Sequence, residues 1–212
     1  MNMSILKKLS KNLSIFTTIN FISIYCYIQY KKSSCSKLNI VFDLDETIAH
    51  TNKQHNLDNF NNSNISKPDI TGLSYMSTNN TISSRVVWVR PGVNILLPLI
   101  AQFNNLYLFT KATKPYADEI LTRTDLDKYF MDKKYRDECH GTCKDLEKFN
   151  IDINKSILID DKLSNRCKKQ NFYHIPRFNC YVKYDCEIFK LFGYIIWLNI
   201  SNDLGFSNTK SN

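Results

Sequence analysis

Three short apolar runs punctuate this chain, and each stops abruptly at polar residues. Lys37–Phe42 gives way to Asp43 and Asp45, Leu106–Phe109 to Thr110, and Ser156–Ile159 to Asp160 and Asp161. Runs this short, set between helical patterns, predict buried strands. Val93–Phe103 follows the sharp turn Arg90-Pro91-Gly92 and predicts a helix interrupted by Pro98. Lys114–Thr122 predicts a second helix with Tyr116, Ile120 and Leu121 on one face, and Phe189–Leu198 a third against the core. Val86–Val89 is strand-like. This alternation describes an α/β domain, a central parallel sheet flanked by helices. Ligand sites in such sheets lie beyond the carboxyl ends of the strands. Asp43, Asp45, Thr110, Asp160 and Asp161 are therefore expected to gather at one sheet edge.

The remaining segments set the domain limits. Asn52–Ser84 is polar and Asn-rich, with Pro68 and Gly72, and is expected to be a long excursion, an insert rather than a second core. The domain is expected over residues 37–199, with the insert at 52–84 and a flexible tail at 200–212. Residues 1–36 form a separate leader. There Lys7, Lys8 and Lys11 precede an uncharged run, Asn12–Tyr30, and Lys31-Lys32 follow it. Its length suits a membrane span, which needs ~20 mostly apolar residues, although Asn20, Gln29 and several Ser and Thr dilute it. A membrane anchor through residues 12–30, an amphipathic leader, a packed extra helix and an organelle transit peptide all remain open readings. A secretory signal fits poorly, because no small-x-small cleavage site follows the run.

Composition narrows the function classes. At 212 residues, 43% hydrophobic and 23% charged, the chain is an ordinary globular protein with room for a proper core. The net charge of +8 suits acidic or phosphorylated partners. The lysines fall in pairs, Lys31-Lys32, Lys133-Lys134 and Lys168-Lys169, with no Arg stripe interleaved with aromatics, so direct nucleic-acid binding is not expected. Seven cysteines, an odd number, predict free thiols and a reducing compartment. Cys139 and Cys143 make only one half of a zinc pattern, so loop thiols are the reading adopted. His50, His55, His140 and His174 show no pairing. Trp88 and Trp197 are expected in the core, and Arg90 as a turn residue or a substrate contact.

Four carboxylates at one sheet edge repel one another, by roughly 4 kcal/mol for two unit charges ~4 Å apart at an effective dielectric of 20. A divalent cation relieves this, and an all-oxygen donor set favours Mg²⁺. A cation there also admits an anionic substrate such as a phosphate. One carboxylate can attack phosphorus to form an acyl phosphate, while a second protonates the departing oxygen and later activates water. A strand-end turn with Asp43 and Asp45 supplies both. Thr110 and a lysine would hold the remaining phosphoryl charge.

The residues also resemble a known family. Asp43-Leu-Asp-Glu-Thr47 is similar to the DxDx(T/V) signature of the haloacid-dehalogenase phosphatases. More narrowly, Phe42–Thr51 (FDLDETIAHT), Arg90-Pro91-Gly92, Leu108–Thr113 with Tyr116-Ala117-Asp118, Tyr135–Cys139 leading to Lys144-Asp145-Leu146, and Ile157–Asp161 resemble the FCP/SCP branch in order. That branch comprises NLI-interacting-factor-like protein serine/threonine phosphatases typified by enzymes acting on the RNA polymerase II C-terminal tail. The resemblance runs from about Lys37 to Phe178. It implies a Rossmann-like haloacid-dehalogenase fold with a small insert after the first motif. It also implies Asp43 as nucleophile, Asp45 as general acid/base, and Thr110 and Lys144 on the phosphate. Mg²⁺ would be held by Asp43, the Asp45 carbonyl and Asp161, with Asp160 beside them. The implied substrate is a phosphoserine-containing protein or peptide, the polymerase tail first, with a nuclear location. Two rivals follow from the same resemblance. One is a membrane-anchored phosphatase of the nuclear envelope or endoplasmic reticulum acting on a lipid-metabolism enzyme. The other is a non-catalytic mitochondrial import receptor of the same fold. The loop between Arg136 and Lys144 is shorter than the family's, and Lys162-Leu-Ser-Asn165 departs from its fourth motif.

Overall fold

The computed structural model describes residues 22–33, 37–53, 67–76, 82–139, 141–167, 169–181 and 184–203. The chain divides into two compact units, 1–37 and 38–212. In the first, residues 22–32 form a helix, α1. Residues 12–21 of the expected span lie outside the described residues. Among those described, no helix is long and apolar enough to cross a membrane.

The second unit is built on a five-stranded parallel sheet. Its strands are β1 (Asn39–Phe42), β5 (Asn105–Phe109), β6 (Asp132–Lys134), β7 (Ser156–Asp160) and β8 (Asn171–His174), in the order β6-β5-β1-β7-β8. All four residues of β1 are buried, which is why it reads as one apolar run without alternation. Val41 packs on one face with Tyr107, Phe109, Leu146, Phe149 and Leu158. Phe42, one position on, meets Phe130 edge to face at 6.5 Å. Helices α2 (Val93–Phe103), α3 (Lys114–Arg123) and α4 (Glu187–Asp203) complete the unit.

α2 and α3 fall where the periodicity places them, and α2 runs through Pro98. Gly92 caps α2 at φ 88°, and a Cβ there would lie 2.8 Å from Ile188 Cγ2, so the turn needs glycine on two counts. Arg90 is a buried strut. Its guanidinium donates to both oxygens of Asp185 at 3.0–3.1 Å, to the Thr47 carbonyl at 3.1 Å and to the Pro176 carbonyl at 2.6 Å.

The expected small insert after the first motif is present. Its described parts contribute to a second, antiparallel sheet, β2 (Ala49–Lys53), β3 (Ile70–Met76) and β4 (Ile82–Val89), in the order β2-β4-β3. The strand seen in the sequence at Val86–Val89 begins at Ile82. This sheet anchors through a few positions, with Ile70, Leu73, Val86 and Trp88 buried. α4 continues through Asp203, so residues 200–203 are helical rather than tail. Trp197 is 54% exposed, not core; it stacks on Tyr194, which in turn lies against Tyr173. His50 is paired, its Nδ1 meeting the Glu46 carboxylate at 2.8 Å, and His174 Nε2 lies 3.0 Å from the Asp161 carbonyl. His55 and His140 lie outside the described residues.

The cysteines are corrected too. Cys143 and Cys167 form a disulfide, while Cys26, Cys139, Cys180 and Cys186 are free. A count along the chain misses this pair because its members, 24 residues apart, are brought together only by the loops leaving the sheet.

Candidate active site

Asp43 is the first residue past β1, and its N–H donates to the Ile159 carbonyl at 2.9 Å. Phe42 sits opposite Leu108 on one side and Ile159 on the other. The parallel register therefore sets Asp160 beside Asp43 and Thr110 one position beyond, at the ends of the three inner strands. The chain then turns back sharply. Glu46 takes a left-handed conformation (φ 65°), uncommon for a residue with a side chain. Its surroundings fix it there: its N–H donates to the Ala49 carbonyl, its carbonyl accepts from Phe178, and its carboxylate meets His50.

Lys144 lies at the centre. It is fully buried, with Nζ 2.6 Å from Asp43 Oδ1 and 2.6 Å from Asp160 Oδ2. Burial works against its charge, but Asp43 and Asp160 outweigh it and hold the ammonium above its ordinary range. Asp43 feels the opposing balance. Burial raises its carboxyl, Lys144 pulls it down and Asp160 pushes it up, leaving it at about 7.

Asp45 points elsewhere. Its Oδ1 accepts from the Tyr116 hydroxyl at 2.8 Å, and that hydroxyl also lies 2.8 Å from Thr51 Oγ1. Burial pushes the Asp45 carboxyl above its ordinary range, against the Tyr116 hydrogen bond. Thr110 is buried, and its Oγ1 accepts from the Ala112 N–H at 3.0 Å. A hydroxyl that accepts keeps its own proton to donate.

Asp43, Asp160 and Asp161 each offer one oxygen, all within 4.8 Å of one another. The Asp45 carboxylate is not in this group, so any contribution from Asp45 to a metal falls to its backbone carbonyl. Asp160 is already well partnered, by Lys144, by the Asn165 amide at 2.9 Å to both oxygens and by the Lys162 N–H at 2.8 Å. Asp161 differs. Its Oδ1 is buried with no hydrogen-bond partner, and burial followed by Asp160 raises its carboxyl. An orphaned buried oxygen beside two carboxylates is what a divalent cation would satisfy. The donor set fits such an ion, with Asp43 and Asp161 the better placed ligands.

Residues 38–205 match the family described as NLI interacting factor-like phosphatase. The chain belongs to that family. A "Probable C-terminal domain small phosphatase" of Dictyostelium discoideum is 27% identical over 130 residues, 59% of this chain and 39% of that protein. A "CTD small phosphatase-like protein 2" of the same organism is 25% identical over 135 residues, 62% of this chain and 22% of that protein. The matched region thus spans well under half of either relative. Among solved structures, Fcp1, an essential RNA polymerase II CTD phosphatase, aligns with a TM-score of 0.58 at 19% identity, over 84% of this chain and 52% of that one. The fission yeast Fcp1 bound to beryllium fluoride gives 0.57 at 17%, over 84% and 54%. These structures share this chain's α/β fold.

The residues predicted from sequence therefore meet at one sheet edge, with the Asp45 side chain turned toward Tyr116. Sequence reading missed Asn165, which clamps Asp160. It also read Tyr116 only as a helix-face residue, although its hydroxyl reaches Asp45. A polar residue on a loop after a strand end carries no periodicity that would reveal such a role.

Proposed function

We propose that this protein is a Mg²⁺-dependent protein serine/threonine phosphatase that works through an aspartyl phosphate on Asp43. The observation that carries the reading is Lys144, buried with Nζ 2.6 Å from both Asp43 and Asp160, beside the unpartnered oxygen of Asp161. Catalysis of this kind is mostly positioning and charge stabilisation.

A free Asp43 oxygen attacks phosphorus, and the bond from phosphorus to the seryl oxygen breaks. Asp45, carried as the acid, delivers its proton to that oxygen and leaves as a carboxylate. Water then attacks the acyl phosphate, Asp45 takes a proton from the water, and the bond from phosphorus to Asp43 breaks, releasing phosphate. Lys144 and Thr110 hold the phosphoryl oxygens throughout. Asp43, the Asp45 carbonyl and Asp161 would hold Mg²⁺, which would supply positive charge that admits the dianion. The raised Asp45 carboxyl suits a group that must arrive protonated, and Tyr116 fixes its direction.

The substrate proposed first is phosphoserine in a flexible peptide, the polymerase tail, acted on in the nucleus. Its support is the names of the relatives and the chain's +8 charge. The test uses the 212-residue chain on a small aryl phosphate, with Mg²⁺ or with chelator, beside Asp43→Asn, and then on phosphoserine peptides of the tail. Metal-dependent turnover lost in Asp43→Asn is expected. A folded, Mg²⁺-loaded protein with no turnover refutes the enzymatic reading, and turnover that ignores tail peptides refutes the substrate.

A further inference from the structure

Lys144 sits in a stretch, residues 141–145, without helix or strand, so no regular element fixes the most heavily charged contact of the site. What holds it is a short list of loop contacts. Its N–H donates to the Asn165 carbonyl at 2.8 Å, and its carbonyl accepts from the Gln170 amide at 2.9 Å. Asn165 is buried, and its amide donates to both oxygens of Asp160 at 2.9 Å while its Oδ1 accepts from Lys111 Nζ at 2.7 Å. Lys111 also donates to the Thr142 carbonyl at 2.8 Å, bridging the two loops. The Cys143–Cys167 disulfide closes the same two loops covalently, one residue before Lys144 and two after Asn165.

We infer that Asn165 is a positioning residue for the Lys144–Asp160 pair, and that the Cys143–Cys167 bridge holds this arrangement, so that turnover responds to reduction of one bond. Asn165 touches neither Asp43 nor the reacting atoms. It fixes the Asp160 carboxylate by its amide and the Lys144 backbone by its carbonyl, so both ends of the Asp160–Lys144 contact hang on one side chain and its loop. The reductant required is a dithiol. It gives two electrons and two protons to the bridge, leaving Cys143 and Cys167 as thiols, and itself closes to a disulfide. With the bridge open, no covalent link joins the two loops.

The effect on turnover rests on the phosphate role proposed for Lys144, so the test reads Lys144 independently of activity. The full chain is compared as isolated, after dithiothreitol, as Cys143→Ser/Cys167→Ser, and as Asn165→Ala. Aryl phosphate kcat and KM are measured, along with acetylation of Lys144 by acetic anhydride, read by mass spectrometry. Circular dichroism confirms that each protein is folded. Misplacing a catalytic group by about an ångström costs up to about a hundredfold. On that scale, reduction, the double serine variant and Asn165→Ala should each lower kcat about tenfold or more, while KM moves less. Lys144, protected in the bridged protein, should become acetylated in all three. Dithiothreitol should change nothing further in the double serine variant. Unchanged kcat with Lys144 still protected overturns the inference, as does a loss of kcat with Lys144 still protected. Acetylation of Lys144 without loss of turnover overturns the catalytic half and removes Lys144 from the phosphate.

Discussion

Replacing Lys144 by methionine tests the charge balance of the site without measuring activity. Lys144 and Asp160 are fully buried, and Asp43 is 6% exposed. Removing one partner of a buried pair costs about 3–5 kcal/mol, because a charge stays buried without its counterion. The pH dependence is sharper. In the wild type the folded Asp43 carboxyl titrates at about 7 against an ordinary 3.8, so stability falls from the ordinary value up to about pH 7 and then levels. Without Lys144, which lowers that carboxyl, Asp43 holds its proton to higher pH. Below pH 7 the two proteins share the same slope and their difference is constant. Above pH 7 the wild type has levelled while the variant keeps falling, by about 1.4 kcal/mol per pH unit until its own Asp43 titrates. Urea unfolding in chelator at pH 6, 7, 8 and 9 measures this. A gap that stays constant or narrows from pH 7 to 9 refutes the assignment of Lys144 as the group restraining Asp43.

Tyr116→Phe removes the donor that aims Asp45, so hydrolysis of an alkyl phosphate, which needs its leaving oxygen protonated, should fall about tenfold or more. Hydrolysis of a nitrophenyl phosphate should fall much less, as paired kcat measurements would show. Arg90→Ala strands Asp185 and frees two backbone carbonyls. It should lower stability by about 3–5 kcal/mol in urea titration while kcat of the folded fraction holds. Gly92→Ala meets both a left-handed backbone and Ile188 Cγ2 at 2.8 Å. It should cost about 1–3 kcal/mol, read as a lower Tm.

The inner strands were legible because each is buried on both faces and so writes an uninterrupted apolar run, as at Ile40–Phe42 and Ile157–Ile159. The polar residues at their ends stood out by contrast. The edges were not legible. β6 is Asp132–Lys134, three charged residues that pair on one side only, and β8, Asn171–His174, is half-buried. Neither needs the composition of a buried strand. The insert sheet hid for a related reason. Only Val86–Val89 of β4 carries a compact apolar run, while β2 and β3 mix a few apolar residues such as Leu73 with threonine, serine and asparagine. Asn165 and the Cys143–Cys167 pair were invisible because their partners are defined by loop closure, which no periodicity encodes.

The central position of β1 bears on how the chain acquires its site during synthesis. Asn39 at its start finds Asn105 of β5 66 residues later and Ser156 of β7 117 residues later. At ribosomal rates of about 5–20 residues per second, a buried strand would emerge roughly 6–23 seconds before its last neighbour. Until then its apolar residues are exposed, and Asp43 has neither Lys144 nor Asp160 beside it. The proposed nucleophile is thus translated early and the residues that complete its surroundings late. Such distant pairings slow folding, which makes this chain a candidate for chaperone protection of residues 39–42 while it is still attached to the ribosome.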